Sequence, residues 1–390
     1  TMYTGRTVFS QIMDFIPRRQ FNRYVERYRG NYRVKTFSCH EQFRCMAFAQ
    51  LTYRHSLRDI EVCLRALGSR LYHVGIRSRI SKSTLADANE NRDARIYADF
   101  ARHLMTRAKR LYANDELEID LDASLYALDS TVIDLCKTSF PWSRLNQSRG
   151  GVKLHVLLNL RGYIPDFICI SGGTVTDYYG LDSLVLEPGA FYVLDRGYYS
   201  FLRLHRINST PAYFVTRAKK VLDVWHPVKH KVDRKTGVRW DHTVTFKRPD
   251  QLEKYPDPFR YIKYTDPKTK QTLVFLTNNF DLPAATIAKV YKSRWQIELF
   301  FKWIKQHLRI RSFFGTSENA VRTQIWIAIS TYLLVAILKK TYQIDHSLYK
   351  ILQVLSVTLF EKMPMNELLT DLDQIQKNEL FQNQLNLFDL

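Results

Sequence analysis

Four polar residues recur at helical spacing within one largely apolar segment, "YKSRWQIELFFKWIKQHL". They are Tyr291, Arg294, Glu298 and Lys305. At about 100° per residue, all four fall within about 60° of one another on a helix. One face therefore carries a phenol, two cations and a carboxylate. A lone carboxylate flanked by phosphate-seeking cations favours metal-assisted chemistry on a nucleic-acid backbone over an ordinary solvated face.

The net charge narrows the class of partner. The 390 residues include 58 Lys+Arg against 38 Asp+Glu, a net charge of +20. Such an excess of positive charge predicts a polyanionic binding partner. Nucleic acid is the first candidate and an anionic membrane surface the second. A membrane role is disfavoured, because the longest apolar run, residues 325–338, has only 14 residues where a spanning helix needs roughly 20. We expect that run to be a buried helix. The N-terminal segment also lacks the apolar core of a secretory signal.

The cysteines indicate a reducing compartment. The five cysteines show no C-x2-C spacing, which is typical of free, mostly buried thiols. His40 and His55 lie near the first three cysteines, so a zinc site is an alternative, although the spacing fits no common zinc finger.

Two aspartates accompany the four-residue pattern. Asp129 lies in "SLYALDSTVID" and Asp195 in "FYVLDRGYYSF", and both are expected to end apolar strands. Together with the spacing of Tyr291, Arg294, Glu298 and Lys305, these segments resemble the DDE-type insertion-sequence transposases with the Y-R-E-K signature, the insertion-sequence-four family. The resemblance spans the chain from about Asp129 to Lys305.

The resemblance implies a DNA transposase that cuts and pastes an insertion sequence. Such enzymes cleave element ends, often through a DNA hairpin, and join them to target DNA. Carboxylates suit two Mg²⁺ ions, for which Mn²⁺ would substitute. We expect Asp129 to be shared by both ions, Asp195 to complete one and Glu298 the other. Each has a simpler alternative, namely a helix cap at Asp129, a pair with Arg196 for Asp195, and a pair with Arg294 or Lys302 for Glu298.

Several residues are candidates for contacts with DNA. Arg294 and Lys305 should bind phosphates, and Tyr291 should contact the backbone or a 5′ phosphate. A hairpin needs a tight bend, so a flipped base should stack on an aromatic ring. Trp295 matches a residue type common in the motif, and Trp225 and Trp240 are candidate stacking platforms. Packing within a β-rich subdomain is an equally weighted alternative for the last two.

The predicted fold class is mixed α/β. Residues 1–112 read as a basic helical domain in which Arg77, Arg79 and Lys82 lie in a helix-turn-helix-like arrangement for DNA, with a helical packing domain as the alternative. Residues 113–218 and 281–340 show a strand meander and then alternating helices and strands, the order of a ribonuclease-H-like core. Residues 219–280 read as an inserted β-rich subdomain. Residues 341–390 form a C-terminal helical region and tail.

The C-terminal tail contains a second short signal. The pentapeptide Gln384, Leu385, Asn386, Leu387 and Phe388 resembles the motif that docks bacterial proteins on the sliding clamp, with a packed C-terminal helix as the alternative. The expected partners are therefore terminal inverted repeats and target DNA, a second subunit forming a homodimer on DNA, and the clamp, in the nucleoid region of a bacterial cytoplasm. Competing interpretations are a metal-dependent nuclease without strand transfer and a domesticated DNA-binding protein without catalysis.

Overall fold

The computed structural model describes residues 5–77, 79–117, 119–146, 148–218, 222–307, 313–365 and 367–368. These residues form two compact units. One contains the described residues of Thr1–Leu111 and Trp303–Leu390, and the other those of Tyr112–Lys302. The first unit is helical and the second is built on a sheet. The predicted mixed α/β fold class is confirmed.

The helices and strands are numbered along the chain. The helices of the described residues are α1 (Val8–Asp14), α2 (Arg18–Arg27), α3 (Cys39–Leu51), α4 (Leu57–Leu67), α5 (Arg70–His73), α6 (Lys82–Asn91), α7 (Arg95–Leu111), α8 (Tyr178–Asp182), α9 (Phe201–Ser209), α10 (Pro249–Leu252), α11 (Ala284–Ser293), α12 (Trp295–His307), α13 (Glu318–Thr341) and α14 (Leu348–Thr358). The strands are β1 (Leu125–Leu135), β2 (Gly150–Asn159), β3 (Ile164–Gly172), β4 (Phe191–Leu194), β5 (Tyr213–Arg217), β6 (Val224–Lys229), β7 (Val238–Phe246), β8 (Phe259–Thr265) and β9 (Thr272–Thr277).

Helix α13 is the central helix of the helical unit. It packs against α3, α6 and α7, and its first turn is capped because the Ser317 side chain accepts a hydrogen bond from the Ala320 N–H. Among the described residues it is the one helix long and apolar enough to cross a membrane, but 94% of its most apolar window is buried inside the protein. The predicted buried helix is confirmed. The prediction that residues 281–340 belong to the catalytic core stays a prediction.

Local signals explain where the N-terminal helices begin and end. A capping box at α3 pairs Ser38 with Glu41, and Ser56 caps α4 by accepting from the Asp59 N–H. Helix α4 then ends at Gly68, whose φ of 52° favours glycine. The break between α3 and α4 falls at the polar segment that holds the Ser56 cap.

The second unit contains a nine-stranded mixed sheet of order β3-β2-β1-β4-β5-β9-β8-β7-β6. Strands β1, β2 and β3 form an antiparallel meander, as predicted, and β4 and β5 run parallel to β1. Strand β9 pairs antiparallel with β5 and is followed by β8, β7 and β6. The segment predicted as an inserted β-rich subdomain, residues 219–280, contributes β6 to β9 to the same sheet. This pairing joins strands far apart in sequence, which a local pattern does not reveal.

Candidate active site

Parallel pairing of β1 and β4 brings two aspartates to the same edge. Leu128 lies opposite Leu194 where this pairing ends, and the next residues along the two strands are Asp129 and Asp195. Asp195 follows β4, as predicted. Asp129 instead lies inside β1, which continues to Leu135 through its pairing with β2. The prediction that Asp129 ends its strand was wrong, because β1 is longer than β4 and only the parallel partner stops there.

The segment carrying Glu298 is not one continuous helix. Helix α11 ends at Ser293 and α12 begins at Trp295, with Arg294 between them. The Arg294 N–H donates to the Tyr291 carbonyl at 3.2 Å, and the Ile297 N–H donates to the Arg294 carbonyl at 3.0 Å. These tighter three-residue bonds interrupt the helix, while Arg294 keeps right-handed backbone angles. Apolar periodicity passes through such a turn unchanged, so the sequence predicted one helix.

Arg294 links two of the three predicted catalytic carboxylates. Its Nη1 lies 3.4 Å from Asp129 Oδ2, and its Nη2 lies 2.7 Å from Glu298 Oε1. Only 13% of the Arg294 side chain is exposed, so these contacts are poorly screened by water. The alternative of a Glu298–Arg294 ion pair is thus observed, and the same guanidinium also reaches Asp129.

The electrostatics show that three acids share one neighbourhood. The pKa of Asp129 is raised to about 6, chiefly by burial and also by the nearby charges of Asp195 and Glu298. The hydrogen bond from the Ser130 N–H and the positive charge of Arg294 lower the pKa of Asp129. Burial lowers the pKa of Arg294, but the hydrogen bond and charge of Glu298 outweigh it and leave that pKa raised. Mutually repelling carboxylates in a cleft are typical of a functional site.

The donor set suits a hard divalent cation. Glu298 Oε2 is buried without a hydrogen-bond partner, and within the described ranges no hydrogen bond or ion pair of the Asp195 carboxylate is found. Both are oxygen ligands of the kind that Mg²⁺ prefers. No group of three or more His, Cys, Asp or Glu side chains in the described residues is arranged to hold a metal ion, and Arg294 lies between Asp129 and Glu298.

The zinc alternative finds no support in the described residues. His40 Nε2 lies 2.8 Å from Asn22 Oδ1, and Cys39 and Cys45 are buried free thiols. No group of metal-ligating side chains in the described part of the chain includes them.

The other residues of the four-residue pattern lie in different environments. Tyr291 is 8% exposed and packs against Phe275 of β9 with ring centroids 4.9 Å apart. The Arg294 guanidinium lies 5.9 Å from the Tyr291 ring centroid, so the phenol supports the arginine. Lys305 is half-buried on α12, about 10 Å along the helix axis from Glu298. Trp295, next to Arg294, is 60% exposed.

The two tryptophans of the sheet extension differ. Trp225, on the edge strand β6, is 63% exposed. Trp240 stacks on His242 with centroids 5.0 Å apart and contacts Tyr261 at 4.7 Å. Trp240 also packs against the core of the sheet. Of the two, Trp225 presents a free ring surface, while the packing alternative describes Trp240.

The predicted N-terminal DNA contacts share one stretch after α5. Arg77, Arg79 and Lys82 are exposed, and the Arg77 guanidinium lies 5.6 Å from the Tyr72 ring centroid. The Arg77 backbone N–H donates to Glu41 at 3.0 Å, and the Lys82 N–H donates to Glu61 at 3.0 Å. These bonds fix the stretch and leave its cationic side chains exposed. The predicted clamp motif, Gln384 to Phe388, lies outside the described residues.

The sequence reasoning missed a polar cluster beside Asp129. It contains Ser130, Lys153 and Asp177, joined by side-chain hydrogen bonds. Asp177 is not among the acids that the sequence motifs predict as catalytic. One sequence feature could have indicated the cluster, because Lys153 is the lone lysine or arginine within the apolar run "GGVKLHVLLNL".

Comparisons with known proteins show the family to which the chain belongs. Residues 120–334 match the family described as "Transposase DDE domain", and residues 4–77 match a domain of unknown function, DUF4372. The putative transposase y4zB of Sinorhizobium fredii is 33% identical over 283 residues, covering 71% of this chain and 77% of that protein. The probable transposase for insertion sequence element IS5377 of Geobacillus stearothermophilus is 32% identical over 220 residues, covering 54% of this chain and 55% of that protein.

Two more distant similarities extend over most of the chain. The putative transposase for insertion sequence element IS4SA of Synechocystis is 24% identical over 347 residues, covering 88% of this chain and 95% of that protein. A cryo-EM structure of a piggyBac transposase synaptic complex with hairpin DNA aligns with a TM-score of 0.43 and 12% identity, covering 90% of this chain and 77% of the other. The transposase domain match takes in more than half of the chain, and the predicted DDE enzyme and its action on DNA are confirmed. The protein belongs to the DDE transposase family of insertion sequences.

Proposed function

We propose that this transposase moves its insertion sequence by a cut-and-paste route, with Asp129, Asp195 and Glu298 as its catalytic carboxylates. The supporting observation is the convergence of three elements. Paired strands β1 and β4 bring Asp129 beside Asp195, and Arg294 connects Asp129 to Glu298 on α12. The four-residue spacing of Tyr291, Arg294, Glu298 and Lys305 supports the proposal that the chain is of the Y-R-E-K type, the insertion-sequence-four family.

The carboxylates would hold two Mg²⁺ ions. Asp129 would be a ligand of both ions, Asp195 of one and Glu298 of the other. When bound, such ions activate a water or a 3′-hydroxyl and neutralise the leaving oxygen. The Asp129 carboxylate is held on one side by the Ser130 N–H at 2.8 Å, which orients its other oxygen toward Arg294. The guanidinium of Arg294 offers a planar fork to a DNA phosphate, and Tyr291 keeps that fork in place.

We infer a ribonuclease-H-like core for the sheet unit, since a three-strand meander precedes two parallel strands that each follow a helical crossover. A hairpin intermediate would need a stacking surface for a flipped base. The exposed rings of Trp295 and Trp225 fit that role, and the packed ring of Trp240 does not.

The helical unit would recognise the element's terminal inverted repeats through Arg77, Arg79 and Lys82. We propose a homodimer on DNA, as the family resemblance implies, because two element ends must be cut and joined together. The clamp motif would recruit the transposase to replicating DNA in the bacterial cytoplasm, at the nucleoid.

Cleavage of a labelled duplex spanning an element end tests the site. The Glu298→Gln variant should bind this DNA as the native protein does but cleave it roughly 1000-fold more slowly with Mg²⁺ or Mn²⁺, because several kcal/mol of transition-state stabilisation are lost. Denaturing gels would reveal a hairpin as a product of retarded mobility.

A matched control is Glu318→Gln. Glu318 also pairs with an arginine four residues away, Arg322, but lies in the first turn of α13. This control should cleave normally. Normal cleavage by Glu298→Gln would remove Glu298 from the site. Cleavage without joining of a supplied 3′-hydroxyl end to target DNA would favour the nuclease interpretation.

A further inference from the structure

A polar cluster lies on the opposite side of β1 from the Asp129 side chain. Asp177, just before α8, accepts hydrogen bonds from the Ser130 hydroxyl and, at 3.1 Å, from Lys153 Nζ. Lys153 also donates to the Val175 carbonyl at 2.7 Å. Ser130 follows Asp129 directly, so strand alternation turns the two side chains to opposite faces. The strand register pairs Val132 with Lys153, which puts Lys153 on the face of Ser130.

The same cluster contacts the turn that follows Asp195. Residues Arg196–Tyr198 form a single 3-10 turn immediately after Asp195. A Cβ added to Gly197 would come within 3.2 Å of Asp177 Oδ2, so the turn packs closely on that carboxylate. Tyr198, at the end of the turn, is 1% exposed. Burial raises the pKa of its hydroxyl, and Ser130 and Asp177 lie near enough to influence it.

Asp177 is itself firmly placed. A Cβ on Gly180 of α8 would approach His155 Cβ of β2 to 2.9 Å, so helix and strand pack without spare room. The Lys153 side chain is only 13% exposed, and that of Asp177 is 36% exposed. A partly buried ion pair of this kind contributes little net stability but fixes geometry when its hydrogen bonds are satisfied. One carboxylate thus joins β1, β2 and the turn after β4.

We propose that Asp177 and Lys153 are positioning residues for transposition, which hold Asp129 through Ser130 and Asp195 through the packed turn at Gly197. This rests on the proposed assignment of Asp129 and Asp195 as catalytic carboxylates. Asp177 acts from behind the strand and does not bind the metal. Side chains that orient metal ligands in this way typically account for 10–100-fold in metal affinity or activity.

Mn²⁺ binding to the full chain tests the proposal and can be followed by electron paramagnetic resonance. The protein is mixed with element-end DNA whose scissile linkage is unreactive, so that no turnover occurs. Asp177→Asn should raise the half-saturating Mn²⁺ concentration about 10-fold and leave the number of bound ions unchanged. Lys153→Met should do the same, and Lys153→Arg should restore most of the affinity because it keeps a cation facing Asp177. If Asp177→Asn does not fold, the two Lys153 variants decide the question.

Asp182→Asn is the matched control. Asp182 is the last residue of α8, the short helix that follows Asp177, and pairs with Arg203 at 2.7 Å, outside the cluster. It should leave Mn²⁺ binding unchanged. Loss of one bound ion in Asp177→Asn would make Asp177 a ligand and overturn the proposal, as would unchanged Mn²⁺ affinity in both Asp177→Asn and Lys153→Met.

A parallel Asp129→Asn variant separates the two hypotheses. If it keeps native Mn²⁺ binding, the proposed catalytic site itself is wrong. If it loses Mn²⁺ binding while the Asp177 and Lys153 variants do not, only the positioning role fails.

Discussion

Arg294 contacts Asp129 with one terminal nitrogen and Glu298 with the other. A lysine has a single nitrogen and could not make both contacts in this geometry. Burying one cation among several acids is not an efficient way to stabilise a fold, because desolvation offsets much of the attraction. The arrangement is better explained by chemistry, since the same guanidinium offsets the negative charge of two acids that we propose as catalytic.

Replacing Trp225 or Trp240, the two tryptophans of strands β6 and β7, should affect different properties, namely hairpin formation and stability. Trp225→Ala should change stability by no more than about 0.5 kcal/mol, because the ring is exposed, yet should reduce hairpin formation. Trp240→Ala should destabilise the protein by roughly 2 kcal/mol or more, since it removes contacts with His242 and Tyr261. Urea denaturation and gel analysis of cleavage products provide the two measurements. Normal hairpin yield from Trp225→Ala would exclude it as the stacking platform.

At the scale of single elements, Asn319 fastens two helix ends of the helical unit. Its Nδ2 donates to the carbonyls of Asn89, Glu90 and Arg92 at 2.7–3.0 Å, and its Oδ1 accepts from the Ala94 N–H at 3.1 Å. The first turn of α13 thereby provides hydrogen-bond partners for backbone groups at the end of α6 and just before α7. These backbone groups have no continuing helix to satisfy them.

We therefore expect Asn319→Ala to destabilise the helical unit by about 1–3 kcal/mol, because several backbone groups lose their partner. Thermal unfolding followed by circular dichroism checks the shift. Asn319→Asp should also destabilise, since a carboxylate accepts but cannot donate to the three carbonyls. A native melting temperature in both variants would show that water replaces the amide at no cost.

Sequence reasoning succeeded at this scale where the signal is local. The apolar runs predicted the meander of β1, β2 and β3, which the structure contains. It failed where the determinant is a tertiary contact. The tightened turn at Arg294 does not disturb the apolar period, and the cluster of Lys153 and Asp177 joins residues 24 apart in sequence. The pairing of β5 with β9 is likewise set by the whole sheet.

At the scale of the whole molecule, the charge of +20 governs encounter with DNA. Phosphate contacts release condensed counterions, so affinity falls steeply as salt rises. A general excess of charge would act wherever cations are exposed. At a dedicated site, a few exposed cations would account for most of the salt-dependent affinity for DNA. Arg77, Arg79 and Lys82 are the exposed candidates.

Replacing Arg77, Arg79 and Lys82 together with Gln should therefore weaken binding to element-end DNA and lower the slope of log affinity against log salt by about 2–3, roughly 0.9 for each phosphate contact removed. Fluorescence anisotropy over a range of salt concentrations measures this slope. The matched control replaces Arg18, Arg19 and Arg23, exposed cations of α2, and removes the same charge. If both triple variants lower the slope equally, net charge alone determines binding and the stretch after α5 is no dedicated DNA site. A larger loss in the first variant assigns end recognition to that stretch, because equal charge was removed from the same unit in both cases.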